Sequence, residues 1–507
     1  MEKNCLRRRL FNSGQCLAVG ILLAGGLWYR GYGLRANPSY WMDENHLAIF
    51  VRAILKTGRP VLANGYSTGA FQWLYFWLSA LFAKILGFSP LVLRLPAVIF
   101  GGLTILTTYL LGREWFSRVV GLTAAFWITF LKIEILWSRQ ARPYQALQFF
   151  FLLGAYLLYQ LGRKKPFSGA ILALFLLVGI LASLLHGLGG LILVNGFLYL
   201  AFRFGKKLKW NWWLFGLFLG IGWIYFFRVL LAAVISNFGQ INNFFYYRVF
   251  LIRNYWPLVL LASAGIFFNL KRKRDCLFLS LLFLTVQFLV GAFFLSQPFV
   301  RYFYIVFPFL VLLAAAGLDW LGGRLTGSKR SESFFLRLVV LGGLIFLVWA
   351  NMGEKFSFLP QKTYSLNEDM LEIPEVDWSR IYGHIKKRLA ENPETVLVVN
   401  WNDLPVWYLG EGVQELYLLK RPSQENYQID PLSGAKMIYS LADFKKLINQ
   451  EEAGLIVLDS WDDAVTDGVR DYCLKNLRQE LKIDRLYPIQ PRLWPVDVYS
   501  WGEKEPV

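Results

Sequence analysis

Ser168-Gly-Ala-Ile-Leu-Ala-Leu-Phe-Leu-Leu-Val-Gly-Ile-Leu-Ala-Ser-Leu-Leu-His186-Gly187 runs without a single Asp, Glu, Lys or Arg. A helix needs about 20 apolar residues to cross the hydrocarbon of a bilayer. Working outward, Arg163–Lys165 precedes the run, and a second apolar run at 189–202 follows it and ends in the basic stretch from Arg203 to Lys209. The same alternation recurs along the chain. Further apolar runs lie at 15–30, 71–87, 91–111, 119–137, 146–161, 212–234, 254–270, 276–295, 302–318 and 335–350. The 507 residues are 56% hydrophobic and 17% aromatic, which suits a chain dissolved in lipid rather than in water.

The net charge of +19 raises the question of a nucleic-acid partner, and its distribution argues against one. Residues 1–353 hold 35 Lys/Arg against eight Asp/Glu, whereas 354–507 hold 18 against 26. The basic excess sits in short loops between apolar runs, where it sets orientation. Arg7–Arg9, Arg113 with Arg118, Arg163–Lys165, Arg203 to Lys209, Lys271–Arg274 and Arg324 to Arg330 are therefore expected on the cytoplasmic side. All six can share that side only if one of the runs 71–87 and 91–111 does not cross. The run 71–87 is short, carries Lys84 and is rich in Trp and Tyr, as an interfacial helix is.

The expected fold is a polytopic all-α membrane protein with about eleven transmembrane helices, one interfacial helix, a cytoplasmic N-terminus and an outer C-terminus. Residues 1–352 form the membrane module, with a first outer loop at about 31–90. Segments 138–145, 235–253 and 296–301 share the outer side. Residues 353–507 alternate helix-like stretches (Ser379–Ala390, Leu441–Gln450, Val469–Leu481) with β-rich ones (Thr395–Asn400, Gly454–Asp459, Val496–Trp501), the pattern of an extracytoplasmic α/β domain. They show no glycine-rich phosphate loop. Arg7–Arg9 and the run after them look like a secretory signal, but a convincing cleavage site is missing and a retained anchor is expected. The four cysteines show neither metal spacing nor an obvious pair.

Three stretches carry candidate chemistry. In Ser39-Tyr-Trp-Met-Asp43-Glu44-Asn-His46, an acidic pair lies on the first outer loop, where Asp43 or Glu44 could take a proton from an attacking hydroxyl or amine. The same pair fits a helix start, with Asp43 as cap and Glu44 favoured by the helix dipole, and both readings stand. In Ser138-Arg139-Gln-Ala-Arg142-Pro143-Tyr144, the arginines could stabilise charge building on a leaving phosphate, as could Arg301 in Gln297-Pro-Phe-Val-Arg301-Tyr302. Single arginines at helix ends usually only reach for head groups; three on one side carry more weight. His186, before Gly187, Gly189 and Gly190, and Glu134, near Lys132, are polar groups at membrane depth, and such groups mark function unless satisfied by neighbours.

Taken in order, these motifs form a recognisable set. It comprises Asp43-Glu44, then Gly87-Phe-Ser-Pro-Leu-Val-Leu-Arg94-Leu-Pro96, Gly112-Arg113-Glu114, Ser138-Arg139-Gln-Ala-Arg142-Pro-Tyr144, and Arg301-Tyr302 with Pro308. The set, over roughly residues 38–320, resembles the GT-C superfamily of glycosyltransferases, in particular the protein O-mannosyltransferase and lipid-A aminoarabinose transferase group. The resemblance implies an inverting transferase of the inner or plasma membrane. Such an enzyme moves a sugar from a polyprenyl-phosphate donor to an extracytoplasmic acceptor in the cell envelope. It also implies Asp43 as acid/base residue beside Glu44, and Arg142 and Arg301 as donor-phosphate contacts, with Arg139 and Tyr144 close in the motif. Some relatives carry an acidic residue after the Ala-Arg stretch that can help hold a divalent metal. Here Pro143-Tyr144-Gln145 offers none, so no cofactor or metal ligand is assigned. The rival class is a transporter or flippase for a lipid-linked sugar, but the internal repeat common in transporters is missing.

Overall fold

The computed structural model describes residues 2–35, 40, 42–67, 72–163, 168–204, 241–325, 342–343, 345–346, 348, 350–362, 364, 376–410, 413, 415–422, 427–462, 465–485 and 494–502. The chain divides into two compact units. The first comprises Met1–Tyr32, Ala70–Tyr75 and Arg94–Tyr364; the second comprises Gly33–Gly69, Phe76–Leu93 and Ser365–Val507.

Helices dominate the first unit: α1 (Glu2–Gly31), then, after α2 and α3 described below, α4 (Pro90–Trp115), α5 (Arg118–Phe130), α6 (Lys132–Trp137), α7 (Tyr144–Arg163), α8 (Gly169–Leu185) and α9 (Leu191–Phe204). They continue as α10 (Phe244–Asn269), α11 (Arg274–Phe293), α12 (Val300–Tyr304) and α13 (Phe307–Leu325). Among the described residues, four are long and apolar enough to cross a membrane: Pro90–Trp115, Phe244–Asn269, Arg274–Phe293 and Phe307–Arg324. The run 212–234, and most of 335–350, lie outside the described residues. The run 119–137 reads as one span in the sequence but is two helices. Leu131 is extended (φ −65°, ψ 126°) and ends α5, and its backbone bridges to Phe356.

Close packing in this unit uses glycine. A Cβ on Gly265 of α10 would strike the Leu313 carbonyl, and one on Gly317 of α13 would strike that of Leu261. Helices dissolved in lipid gain little from burying apolar surface against each other, so backbone approach through small residues supplies the packing. α10 bends at Tyr255 (φ −134°, ψ 23°), just before Pro257, whose missing N–H and ring disrupt the preceding turn.

The second unit contains α2 (Met42–Thr57), most of α3 (Trp73–Leu86), the helices α14 (Trp378–Glu391), α15 (Asp403–Tyr408), α16 (Leu441–Gln450) and α17 (Asp467–Asn476), and a six-stranded sheet. The strands are β1 (Val396–Val399), β2 (Leu416–Leu419), β3 (Lys436–Ile438), β4 (Gly454–Asp459), β5 (Arg478–Ile483) and β6 (Val496–Trp501), in the order β3-β2-β1-β4-β6-β5. β3, β2, β1 and β4 are parallel, while β6 runs antiparallel to β4 and to β5. β1 and β4 are buried on both faces, which explains their continuous apolar sequences. Helices cover each side. Trp378, Ile381 and Ile385 of α14 and Leu404 of α15 pack with Leu397, Val399, Leu455 and Val457. Phe444 and Leu447 of α16 and Val469 and Cys473 of α17 pack with Val396, Val398, Ile456 and Leu458.

The structure differs from the sequence-based expectation at one helix. The stretch Val469–Leu481 is helical only to Asn476; from Arg478 it is strand β5, paired with β6. Leu481 and Ile483 lie on one face of that strand and join the α14-side core, an alternation a helical reading overlooks.

Candidate active site

Side chains from four elements of the first unit converge. Pro143 precedes α7, where its fixed φ suits a helix start, and Arg142 and Tyr144 stand on either side of it. The Arg142 guanidinium lies over the Tyr144 ring at 5.0 Å and the Trp137 ring at 5.7 Å. Arg301, on the short helix α12, lies over the same Tyr144 ring at 5.8 Å, over Tyr302 at 5.5 Å and over Phe299 at 3.8 Å. His186, between α8 and the 3-10 turn Gly187–Gly190, places its ring 5.3 Å from Tyr144 and 6.5 Å from Tyr302. The Leu188 N–H donates to His186 Nδ1 at 3.1 Å, so the neutral ring carries its proton on Nε2. Arg142, Tyr144, His186 and Arg301, all singled out by the sequence, thus form one cluster. Tyr302 joins them, having entered the sequence reading only as a motif neighbour. Two guanidinium groups buried around one ring make this a positively charged place, of the kind that suits an anion.

A buried hydrogen-bond network ties the same elements together from within. Gln148 Nε2 donates to Glu134 Oε1 at 3.1 Å and to the Tyr304 carbonyl at 2.9 Å. Gln145 Nε2 donates to Thr104 Oγ1 and to Gln148 Oε1, both at 2.9 Å. The Tyr304 hydroxyl lies 3.1 Å from Glu134 Oε2 and also contacts Gln145 Oε1. Gln145 follows Tyr144 and Tyr304 is three residues past Arg301, so the network fixes both arginine-bearing segments. Glu134 serves here as a structural acceptor and stands apart from the arginine cluster.

Arg139 is also placed elsewhere. Its guanidinium donates to the carbonyls of Tyr29 (3.1 Å), Arg30 (3.2 Å) and Tyr32 and, through Nη2, to Lys362 (2.7 Å). It caps the carbonyl end of α1, a position that favours a cation.

In the second unit, Asp43 and Glu44 lie in the first turn of α2; Asp43 is exposed and Glu44 buried. His46, one turn on, packs its ring 4.9 Å from Phe50 and 6.4 Å from Phe76. Burial pushes its pKa down to about 4, so it is neutral at pH 7. α2 is fastened to α15. The Arg52 guanidinium lies 4.1 Å over the Trp407 ring and donates to the Trp407 carbonyl at 2.9 Å. Tyr40 meets the same ring edge-on at 5.1 Å. Burial raises the Asp403 pKa to about 7, while hydrogen bonds from its own backbone N–H and that of Leu404 pull it back. Asn64 Nδ2 donates to the Pro431 carbonyl at 2.8 Å. The sequence alone does not point to Trp407, because contacts spanning more than 300 residues leave no local signal. Among the described residues, no group of three or more His, Cys, Asp or Glu is arranged to hold a metal ion.

Residues 73–227 match the family model described as dolichyl-phosphate-mannose-protein mannosyltransferase. An uncharacterized protein of Aquifex aeolicus is 28% identical over 285 residues, which is 51% of this chain and 56% of that relative. The chain therefore spans little more than half of that relative's length. ArnT from Cupriavidus metallidurans in the apo state superposes with a TM-score of 0.56 at 16% identity, over 97% of this chain and 98% of that one. The same protein bound to undecaprenyl phosphate gives 0.53 at 15% identity, over 96% and 97%. The oligosaccharyltransferase AglB from Archaeoglobus fulgidus, in complex with an inhibitory peptide and a dolichol-phosphate, gives 0.55 at 13% identity, over 87% and 69%. The GT-C resemblance read from the sequence is borne out: this chain has the mostly helical fold shared by ArnT and AglB.

Proposed function

We propose that this chain is an integral-membrane, inverting glycosyltransferase that takes a sugar from a polyprenyl-phosphate carrier and gives it to an extracytoplasmic acceptor. The observation that carries the reading is the convergence of Arg142 and Arg301 on Tyr144, with His186 and Tyr302 alongside. In the proposed reaction Asp43 accepts the proton of the acceptor hydroxyl or amine. The acceptor atom then bonds to the anomeric carbon as the bond from that carbon to the phosphate oxygen breaks. The electron pair leaves on the polyprenyl phosphate, and the two arginines stabilise the charge that builds there. Glu44 orients Asp43, and no metal is assigned a role.

The parity of the basic loops supports about eleven crossings, with the N-terminus cytoplasmic and the unit bearing the sheet outside. At 14 residues, α3 is shorter than the roughly 20 that a span requires, in keeping with a helix at the interface. The binding of undecaprenyl phosphate by ArnT and of dolichol-phosphate by AglB supports a polyprenyl-phosphate donor. The test is the purified protein in lipid nanodiscs with a radiolabelled polyprenyl-phosphate hexose and an envelope-glycan acceptor. Label moving to the acceptor is the expected result. Uptake of the intact lipid-linked sugar into vesicles without transfer would replace the reading with transport.

A further inference from the structure

The sheet of the second unit has a topological switch point between β1 and β4. From β1 the chain turns to α15 on one face and on to β2; from β4 it turns to α17 on the opposite face. In open α/β sheets the loops that part in this way leave a crevice at the carboxyl ends of the strands, where ligands bind. Here the two loops read Asn400-Trp401-Asn402-Asp403 and Asp459-Ser460-Trp461-Asp462. Each places a half-buried tryptophan in the same position. The two rings lie 6.5 Å apart at 21° to each other.

One buried carboxylate holds both tryptophans. Asp459 Oδ2 accepts from Trp401 Nε1 at 3.0 Å, and Asp459 Oδ1 accepts from the Trp461 backbone N–H at 2.9 Å. Arg485, itself buried, pairs with that carboxylate, and its Nη1 has no hydrogen-bond partner among the described residues. Asn400 completes the set, donating to Asp462 Oδ2 at 3.0 Å and accepting from the Asp459 N–H at 3.3 Å. Burying an ion pair at the end of a sheet is costly for stability alone. What it achieves here is a fixed aromatic platform. Asn402, Ser460 and Lys420, each partly exposed, follow β1, β4 and β2 at the same edge.

We propose that this crevice binds carbohydrate and that the acceptor is a glycan, an inference that rests on the transferase reading above. A sugar ring offers an apolar face of C–H groups that covers an indole, and a rim of hydroxyls for amides, hydroxyls and carboxylates, the mix of surfaces a small-molecule site needs. A phosphate ligand fits poorly. The β1–α15 turn has no glycine, and Asp403, Asp430, Asp459 and Asp462 gather at this edge. The crevice also lies near the proposed base: α15, which begins two residues past Trp401, is fastened through Trp407 to Arg52 of α2, the helix that carries Asp43 in its first turn.

The test uses the full chain in nanodiscs, with α-1,6-linked mannohexaose and β-1,4-linked glucohexaose as probes and a proline-rich octapeptide as control, read by calorimetry. Wild-type protein should bind at least one hexasaccharide, and Trp461→Ala should weaken that binding about tenfold or more. Trp461→Phe should retain it, and undecaprenyl-phosphate binding should be unchanged in both variants. Failure of both oligosaccharides to bind, equal binding by Trp461→Ala, or binding of the peptide in their place would overturn the proposal. Glycan binding by a protein that never turns over a polyprenyl-phosphate sugar would sink the transferase reading while upholding the site.

Discussion

The two units hold their candidate residues by different means. In the first, charged groups are placed by other side chains: Arg142 and Arg301 share a tyrosine, and a network of Gln145, Gln148, Glu134 and Tyr304 joins their helices. In the second, a whole helix is placed by a folded domain, with α2 and the loop after it fastened through Arg52 and Asn64 to segments that flank the strands. The difference follows from the packing available to each. Helices that cross lipid have little hydrophobic drive to associate and rely on small residues and internal polar bonds. A sheet covered on both faces has its own core and can serve as a platform. The proposed function accordingly assigns fixed positive charge to the helical unit and the acceptor's proton to the other.

The largest expected effect lies on the second unit. Asp43→Asn keeps the size and helix-start preference of the side chain but cannot accept a proton, so turnover should fall about two to four orders of magnitude with expression unchanged. Glu44→Gln should be milder. Single-turnover transfer at matched protein levels measures both. Near-normal turnover by Asp43→Asn would remove Asp43 from the mechanism, and a selective loss in Glu44→Gln would move the base by one residue.

Next in size is a contrast within the first unit. Arg301→Ala and Arg142→Ala should each cost about two to three orders in turnover through lost charge stabilisation, and lysine should restore only part because it lacks the planar fork. Arg139→Ala should instead lower the melting temperature and leave the turnover of the remaining folded protein within a few-fold. Its bonds run to the end of α1. Hydrogen bonds from a charged group are each worth roughly 1.5–3 kcal/mol. Equal losses of turnover in all three variants, at unchanged stability, would put Arg139 back in the site.

That contrast also marks what the sequence can reveal. Arg139 and Arg142 lie three residues apart in one motif and are indistinguishable as residue types. Only the α1 carbonyls, more than 100 residues away in the chain, separate them. The apolar runs were legible because length and absence of charge are local properties. β4, β6 and α16 also matched their sequence boundaries, since each is a run of one periodicity between clear breaks. β5 was hidden because Arg478-Gln-Glu-Leu-Lys continues the composition of α17, and only pairing with β6 makes it a strand. The proposed aromatic crevice was invisible for a similar reason: Trp401 and Trp461 come together only through the strand order.

The smallest effect tests the fastening of α2 to the sheet, through two groups of opposite sign. Asp403 has a pKa of about 7 in the folded chain, against 3.8 for an ordinary Asp, because it is buried. Folding therefore takes up a proton in the window between these values. The stability this gives is fully present below the lower value and is lost as pH rises through about 7. His46 is held near 4, against 6.5 for an ordinary His, also by burial. Its contribution is present above 6.5 and is lost as pH falls through about 4. Each slope is about 1.4 kcal/mol per pH unit at most, and the two oppose each other between roughly pH 4 and 6.5. Hydrogen exchange of the α2 amides, which reports local opening, should then vary little with pH in the wild type once intrinsic exchange is corrected. Asp403→Asn should leave the His46 slope alone, so that α2 opens more readily as pH falls from 6.5 to 4.5. His46→Phe should leave the Asp403 slope alone, so that α2 is better protected at pH 4.5 than at 6.5. Parallel profiles in the two variants would show that these groups do not govern the contact, and that α2 is held instead by Arg52 and Tyr40 on Trp407.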